Sequence, residues 1–178
     1  MEILIVGGIV VLIMVFISTQ IKKSAAQAFD REIIEMEDFT IVKPEGFMNP
    51  LRETSEYAFE AYSKEFGEKT ERNVWRAQVY LSLITDSDFA AVCESAKQKT
   101  GEILFEDTFE DSSDDEKICL IESEKTDEED EIDFYEFRKI VVKRHQQKVY
   151  ELRIAVLKAF RDEFSERINE LLNSFRLK

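Results

Sequence analysis

The sequence predicts an α+β fold: an antiparallel β-meander sheet covered by two helices and preceded by one transmembrane helix. Three observations predict it. The chain opens on a long apolar run. Beyond that run, most apolar segments alternate with a period of two and are joined by short polar connections, the pattern of antiparallel neighbours. Two further stretches repeat their apolar residues at intervals of three and four, as amphipathic helices do. The division that follows is an anchor over 1–23, a helical stalk or linker over 24–37, and one domain over 38–178.

Ile3 to Ile17 holds only apolar residues and glycine, and adding Ser18, Thr19, Gln20 and Ile21 gives 19 residues without a charge. As a helix this stretch is roughly 28 Å long, close to the hydrocarbon thickness of a bilayer. A signal peptide cleaved after Ala28 competes with this reading, because Ala26-Gln27-Ala28 is a small-residue site of the right type. However, Glu2 stands where basic residues belong, and Lys22 and Lys23 follow the run instead of preceding it. The expectation is an uncleaved, single-pass anchor in the cell membrane, with the lipid bilayer around Ile3–Ile21. The same two lysines lean the domain toward the cytoplasm.

Ala25, Phe29, Ile33 and Met36 have helical spacing and extend the anchor as a stalk. A strand follows at Phe39–Lys43 and ends in Pro44-Glu45-Gly46. Tyr57–Ser63 alternates as a second strand. Val74–Ile84 is a longer one with Trp75, Ala77, Val79, Leu81 and Leu83 on one face. Asp86–Lys99 is a helix, capped by Asp86 or Ser87, with Lys97 and Lys99 at its negative end and Gly101 past its stop. Phe89, Val92, Cys93 and Ala96 mark its inner side. Four strands come next, at Glu102–Phe109, Lys117–Lys125, Ile132–Val142 and Val149–Leu157. The closing helix, Ala159–Ser174, lines up Phe160, Phe164, Ile168, Leu171, Leu172 and Phe175.

With 14 Phe, 5 Tyr and 1 Trp, the chain has ample material for a core. The formal net charge of -14 excludes a general nucleic-acid binder, which needs a basic surface. That charge is concentrated. From Glu102 to Glu136 there are 17 Asp or Glu against Lys117 and Lys125, a local charge of -15 that leaves the rest of the chain at +1. Cys93 and Cys119 are expected as reduced, buried thiols in preference to one disulfide.

Phe39-Thr40-Ile41-Val42-Lys43-Pro44-Glu45-Gly46-Phe47 resembles the opening strand and Pro-x-Gly-Phe turn of PsbP-like domains. The aromatic strand Tyr57–Tyr62, the long strand and helix after it, and the final strand and helix ending Ser174-Phe175-Arg176-Leu177 are also similar. The resemblance covers roughly residues 37–177 as an order of elements, and only the opening motif is specific. It implies an antiparallel sheet flanked by helices in a protein that acts as an accessory or binding subunit. The family supplies no catalytic motif to carry over. The anchor and the acidic region depart from its pattern.

The residues themselves carry no enzymatic signature, and no cofactor is expected. Gly46, Gly67 and Gly101 are the only glycines beyond the first run, and none sits in a phosphate loop. One His and two Cys make no zinc set. His145 falls in a hairpin turn and reads as solvated. Asp111, Asp114, Asp115 and Glu116 are weak Ca²⁺ candidates, since they supply hard oxygen ligands without the spacing of an EF-hand loop. Asp127, Glu128, Glu129, Asp130 and Glu131 are candidates for docking a basic partner. Arg138, Lys139, Lys143 and Arg144 form a basic hairpin, read first as pairing with nearby carboxylates and second as a contact for lipid or another anion. The function expected is a non-enzymatic, membrane-anchored accessory or protein-interaction module with a protein partner and no nucleic acid. The alternative is a carboxylate-based Ca²⁺-dependent sensor or enzyme.

Overall fold

The computed structural model describes residues 2–50, 55–64, 74–112, 114–127, 131–144 and 148–178, with side chains from residue 12 onward, residue 25 excepted. Helix α1 (Glu2–Gln27) opens the chain. Among the described residues, no helix is long and apolar enough to cross a membrane. This corrects the expected anchor at Ile3–Ile21, and with it the bilayer partner and the single-pass membrane location. The unbroken apolar run ends at Ile17, after which Ser18, Thr19, Gln20, Lys22 and Lys23 follow. A span needs about 20 predominantly apolar residues.

The helical stalk is also corrected. α1 stops at Gln27, and Glu32–Glu35 forms strand β1, antiparallel to β2 (Phe39–Lys43). Ile33 and Ile34 are β-branched and lose rotamer freedom in a helix, so pairing with β2 prevails over the helical spacing. The fold therefore starts at β1, ahead of the expected boundary at residue 38. Lys43 fixes the junction: its buried ammonium donates to Ala28 O at 2.8 Å and lies 3.3 Å from Glu32.

A seven-stranded antiparallel sheet carries most of the domain, in the order β3-β4-β5-β9-β8-β7-β6. Its strands are β3 (Phe47–Met48), β4 (Phe59–Ser63), β5 (Ala77–Ile84), β6 (Glu102–Asp111), β7 (Glu116–Asp127), β8 (Ile132–Lys143) and β9 (Val149–Leu157). β6 to β9 form the expected meander of hairpins. β5, however, pairs with β9, so α2 (Phe89–Lys99) must carry the chain across the sheet to its far edge. Asp88 caps that helix by accepting from Ala91 N at 2.8 Å.

The two faces of the sheet are covered differently. On the first, Phe164, Ile168 and Leu171 of α3 (Arg161–Ser174) pack with Phe39 and Ile41 of β2 over Val79, Leu81, Leu152, Ile154 and Val156. Edge-on aromatic contacts, Phe47 to Phe164 at 5.9 Å and Phe39 to Phe175 at 6.2 Å, lock this core. β10 (Arg176–Leu177) then closes a three-stranded sheet with β1 and β2. On the second face, α2 buries Val92, Cys93 and Ala96 against Cys119, Ile121, Ile140 and Val149. Both cysteines are free and buried. A hydrogen bond to Cys119, together with burial, pushes the Cys93 thiol well above its ordinary range.

Two glycines are required by geometry. Gly46 has φ +87°, the left-handed region that suits glycine in the turn after Pro44. At Gly101 a Cβ would stand 2.0 Å from Glu124 O, so a side chain there would separate the α2–β6 junction from β7.

Candidate interaction surface

β6 is the outer strand of the sheet, paired with β7 on one side only. Every residue from Glu102 to Glu110 is exposed. Both faces of β6 remain exposed because α2 packs on β8 and α3 packs on β2 and β9. Leu104 is 47% and Phe105 51% exposed, with Ile103 and Phe109 close behind. A register shift between Ile103 and Phe105 bulges the strand at Leu104. Five carboxylates accompany these apolar side chains (Glu102, Glu106, Asp107, Glu110 and Asp111), and the strand holds no Lys, Arg or Pro. Natural edge strands are commonly protected by lysine, proline or a covering element. This one has a bulge and acids only.

Part of the acidity is already paired. Glu106 bonds Lys97 of α2, and Glu110 accepts from Arg144 at 2.7 Å. Glu102 and Asp107 have no ion-pair partner among the described residues.

The sequence-derived site residues separate into distinct places. Asp111, Asp115 and Glu116 line an open cavity of about 720 Å³ at the β6–β7 turn, together with Asp86, Asp88 and Arg144. Asp114 instead lies 3.5 Å from Arg176. Glu116 is buried and accepts from Leu177 N at 3.0 Å, tying β7 to the C-terminal strand. Among the described residues, no group of three or more His, Cys, Asp or Glu could hold a metal ion. Asp127 and Glu131 flank the β7–β8 turn, and Glu131 has φ 53°. Glu128, Glu129, Asp130 and His145 lie outside the described residues. The two acidic turns sit at opposite ends of the 12-residue β7, roughly 35 Å apart at the rise of a strand. They do not converge.

The basic hairpin resolves into internal pairing. Arg138 and Lys139 are adjacent on β8, point to opposite faces, and are both buried, so neither is placed to meet a headgroup. Lys139 donates to Leu172 O at 2.8 Å and Phe175 O at 3.0 Å, satisfying carbonyls at the end of α3. Burial, reinforced by Arg176, pushes its ammonium down to about 8. Arg138 donates to Glu136 at 3.0 Å and Glu151 at 2.5 Å, and Glu136 also bonds Arg153. Burial alone would raise the Glu136 carboxyl, but Arg153 and Arg138 outweigh it and hold the group below its ordinary value. Lys143 is half-buried, and Arg144 is exposed and faces Glu110 and Asp115.

Glu136, Glu151 and Arg153 were absent from the sequence-derived site. The available signal was the spacing of Glu136 and Arg138, two apart on one strand and therefore on one face. The exposed edge of β6 carried no such signal, since edge position depends on where α2 delivers the chain.

No family model matches the chain, and no curated protein matches it in sequence. Solved structures do. The cyanobacterial PsbP protein CyanoP from Synechocystis sp. PCC 6803 superposes with a TM-score of 0.56 at 8% identity, over 84% of this chain and 94% of that one. LpqN of Mycobacterium tuberculosis, described as involved in cell envelope biogenesis, gives 0.55 at 11% identity over 84% and 91%. The Saccharomyces cerevisiae Ran-binding protein Mog1p gives 0.52 at 14% identity over 84% and 96%. The resemblance first carried by the Phe39–Phe47 motif thus holds at the level of architecture: this chain has the PsbP-like fold.

Proposed function

We propose that this chain is a non-enzymatic interaction module that docks a protein partner along β6. The observation that carries this reading is a ten-residue edge strand with both faces exposed. Its outward backbone N–H and C=O groups are available to a further strand. Leu104, Phe105 and Phe109 offer apolar contact area, and the accompanying acids favour a partner segment that is extended, apolar and basic. A second copy of this chain fits poorly, since pairing β6 with β6 would set carboxylates against carboxylates. Asp127 and Glu131, at one end of the hairpin, add to the field that speeds encounter with a basic surface. The PsbP-like fold supports this reading, because one protein sharing it, Mog1p, is named as Ran-binding.

The test is a photo-reactive amino acid placed at Phe105 in the full-length protein within its native cells, with the same probe at Glu166 on the exposed side of α3 as a control. A reproducible adduct at Phe105 that is absent at Glu166, and is lost on Leu104→Lys, supports docking along β6. Equal yields at both positions, or none at Phe105, overturn it.

A further inference from the structure

On the face of the sheet that carries α2, an open cavity of about 400 Å³ lies between the end of that helix and the aromatic side chains near β4 and β5. Its lining reverses the charge of the molecule. The chain carries -14 overall, yet Lys99, Lys125, Arg138 and Arg153 meet here with Glu151 as the only carboxylate among the described residues of the wall.

The two arginines are held by Glu136 and Glu151 and so are largely neutralised. Lys99 and Lys125 are different: both are exposed, and neither has an ion-pair partner among the described residues. Lys125 also borders Glu102, Glu124 and Asp133 in the adjoining cavity without an ion pair to any of them. The lysines therefore supply the accessible positive charge of the cavity.

The opposite wall is aromatic. Tyr57 and Tyr80 lie with ring centroids 4.7 Å apart and inclined at 47°. The Tyr80 hydroxyl is already engaged, donating to Gln78 Oε1 at 2.8 Å, so its ring offers an apolar side to the cavity. Cations on one side and rings on the other select a ligand with two parts. A cavity of this size suits a small molecule.

We propose that this cavity binds a small anion in which a carboxylate or phosphate is attached to a planar ring. Lys99 and Lys125 meet the charge, and the ring lies against Tyr57 and Tyr80. This site is independent of the β6 edge.

The test titrates the full-length protein with benzoate and with phenyl phosphate, using phenol as the neutral control. The single tryptophan reports the binding: Trp75 stacks on Tyr62 at 5.6 Å, and Tyr62 meets Tyr80 edge-on at 6.2 Å. The expected result is a saturable fluorescence change with at least one of the two anions and none with phenol. Lys99→Glu with Lys125→Glu should weaken that binding at least about tenfold at an unchanged melting temperature. Should the double variant fail to fold, Lys99→Ala and Lys125→Ala singly should each show a smaller loss. Phenol binding as well as the anions, no saturation with either anion, or unaltered binding in the lysine variants would overturn the proposal.

Discussion

Arg138 and Arg153 stand directly opposite one another on β8 and β9, and the Glu136 carboxylate bonds both. Like charges in facing positions of a sheet destabilise it. Here Glu136, 1% exposed, converts the repulsion into a bridge, and Glu151 takes the remaining side of Arg138.

Glu136→Gln keeps the shape and removes the charge, so two guanidinium groups face each other with no carboxylate bridging them and only Glu151 left on Arg138. Breaking a buried ion pair from one side costs about 3–5 kcal/mol. Urea denaturation should show a loss near the lower end of that range, since the amide still accepts one hydrogen bond. Glu151→Gln, at a more exposed position, should lose less.

The same network sets the acid limit. Glu136 is held below the unfolded value of 4.5, and Asp38 is held below 3.8 by hydrogen bonds from Lys148 and Tyr150. A carboxyl whose folded pKa is depressed contributes stability that is complete above its unfolded value and lost as the pH falls through the folded one. Melting temperature should therefore drop progressively below about pH 4.5. Glu136→Gln should flatten that limb.

Lys139 acts at the other end of the scale. Its folded value of about 8 lies below the unfolded 10.5, so between these limits the unfolded chain binds more protons and folding gains as the pH rises. The stability difference between wild type and Lys139→Met should widen in favour of wild type from pH 8 to 10.5. Denaturant titrations of both proteins across that window measure it.

Gly46→Ala and Gly101→Ala should separate two kinds of glycine. At position 46 the added methyl meets Arg167 at an ordinary 3.6 Å and only the positive φ opposes it, a loss of about 1 kcal/mol. At position 101 the methyl collides with Glu124 O at 2.0 Å, and overpacking of that order costs about 1–3 kcal/mol. Gly101→Ala should be the more destabilised of the two in a thermal melt.

Much of the sheet was legible in the residues. Val149–Leu157 is a strand over the expected span, because Tyr150, Leu152, Ile154 and Val156 alternate inward over its length. The helix at Phe89–Lys99 starts three residues later than expected, since Asp88 is the residue whose carboxylate reaches Ala91 N. β1 and β10 were not legible. β1 is four residues long and the Ala25-Phe29-Ile33-Met36 spacing around it imitates a helix, whereas β10 is two residues long and pairs with β2 across more than 130 residues of chain. At the site, Arg138 and Lys139 read as one basic patch because adjacency in sequence hides the alternation of a strand, which sends them to opposite faces. The acids of Glu102–Asp111 were visible as composition, whereas their place on a free edge follows from pairings made elsewhere in the sheet.

In the function proposed above, β6 accepts a strand from a protein partner. Hydrogen exchange of the β6 amides, measured on the full-length protein alone and in complex with the partner captured through Phe105, tests it most directly. Strand addition predicts slowed exchange at the alternate β6 amides that point away from β7, with little change on β4. Unchanged exchange along β6 in the complex would contradict it.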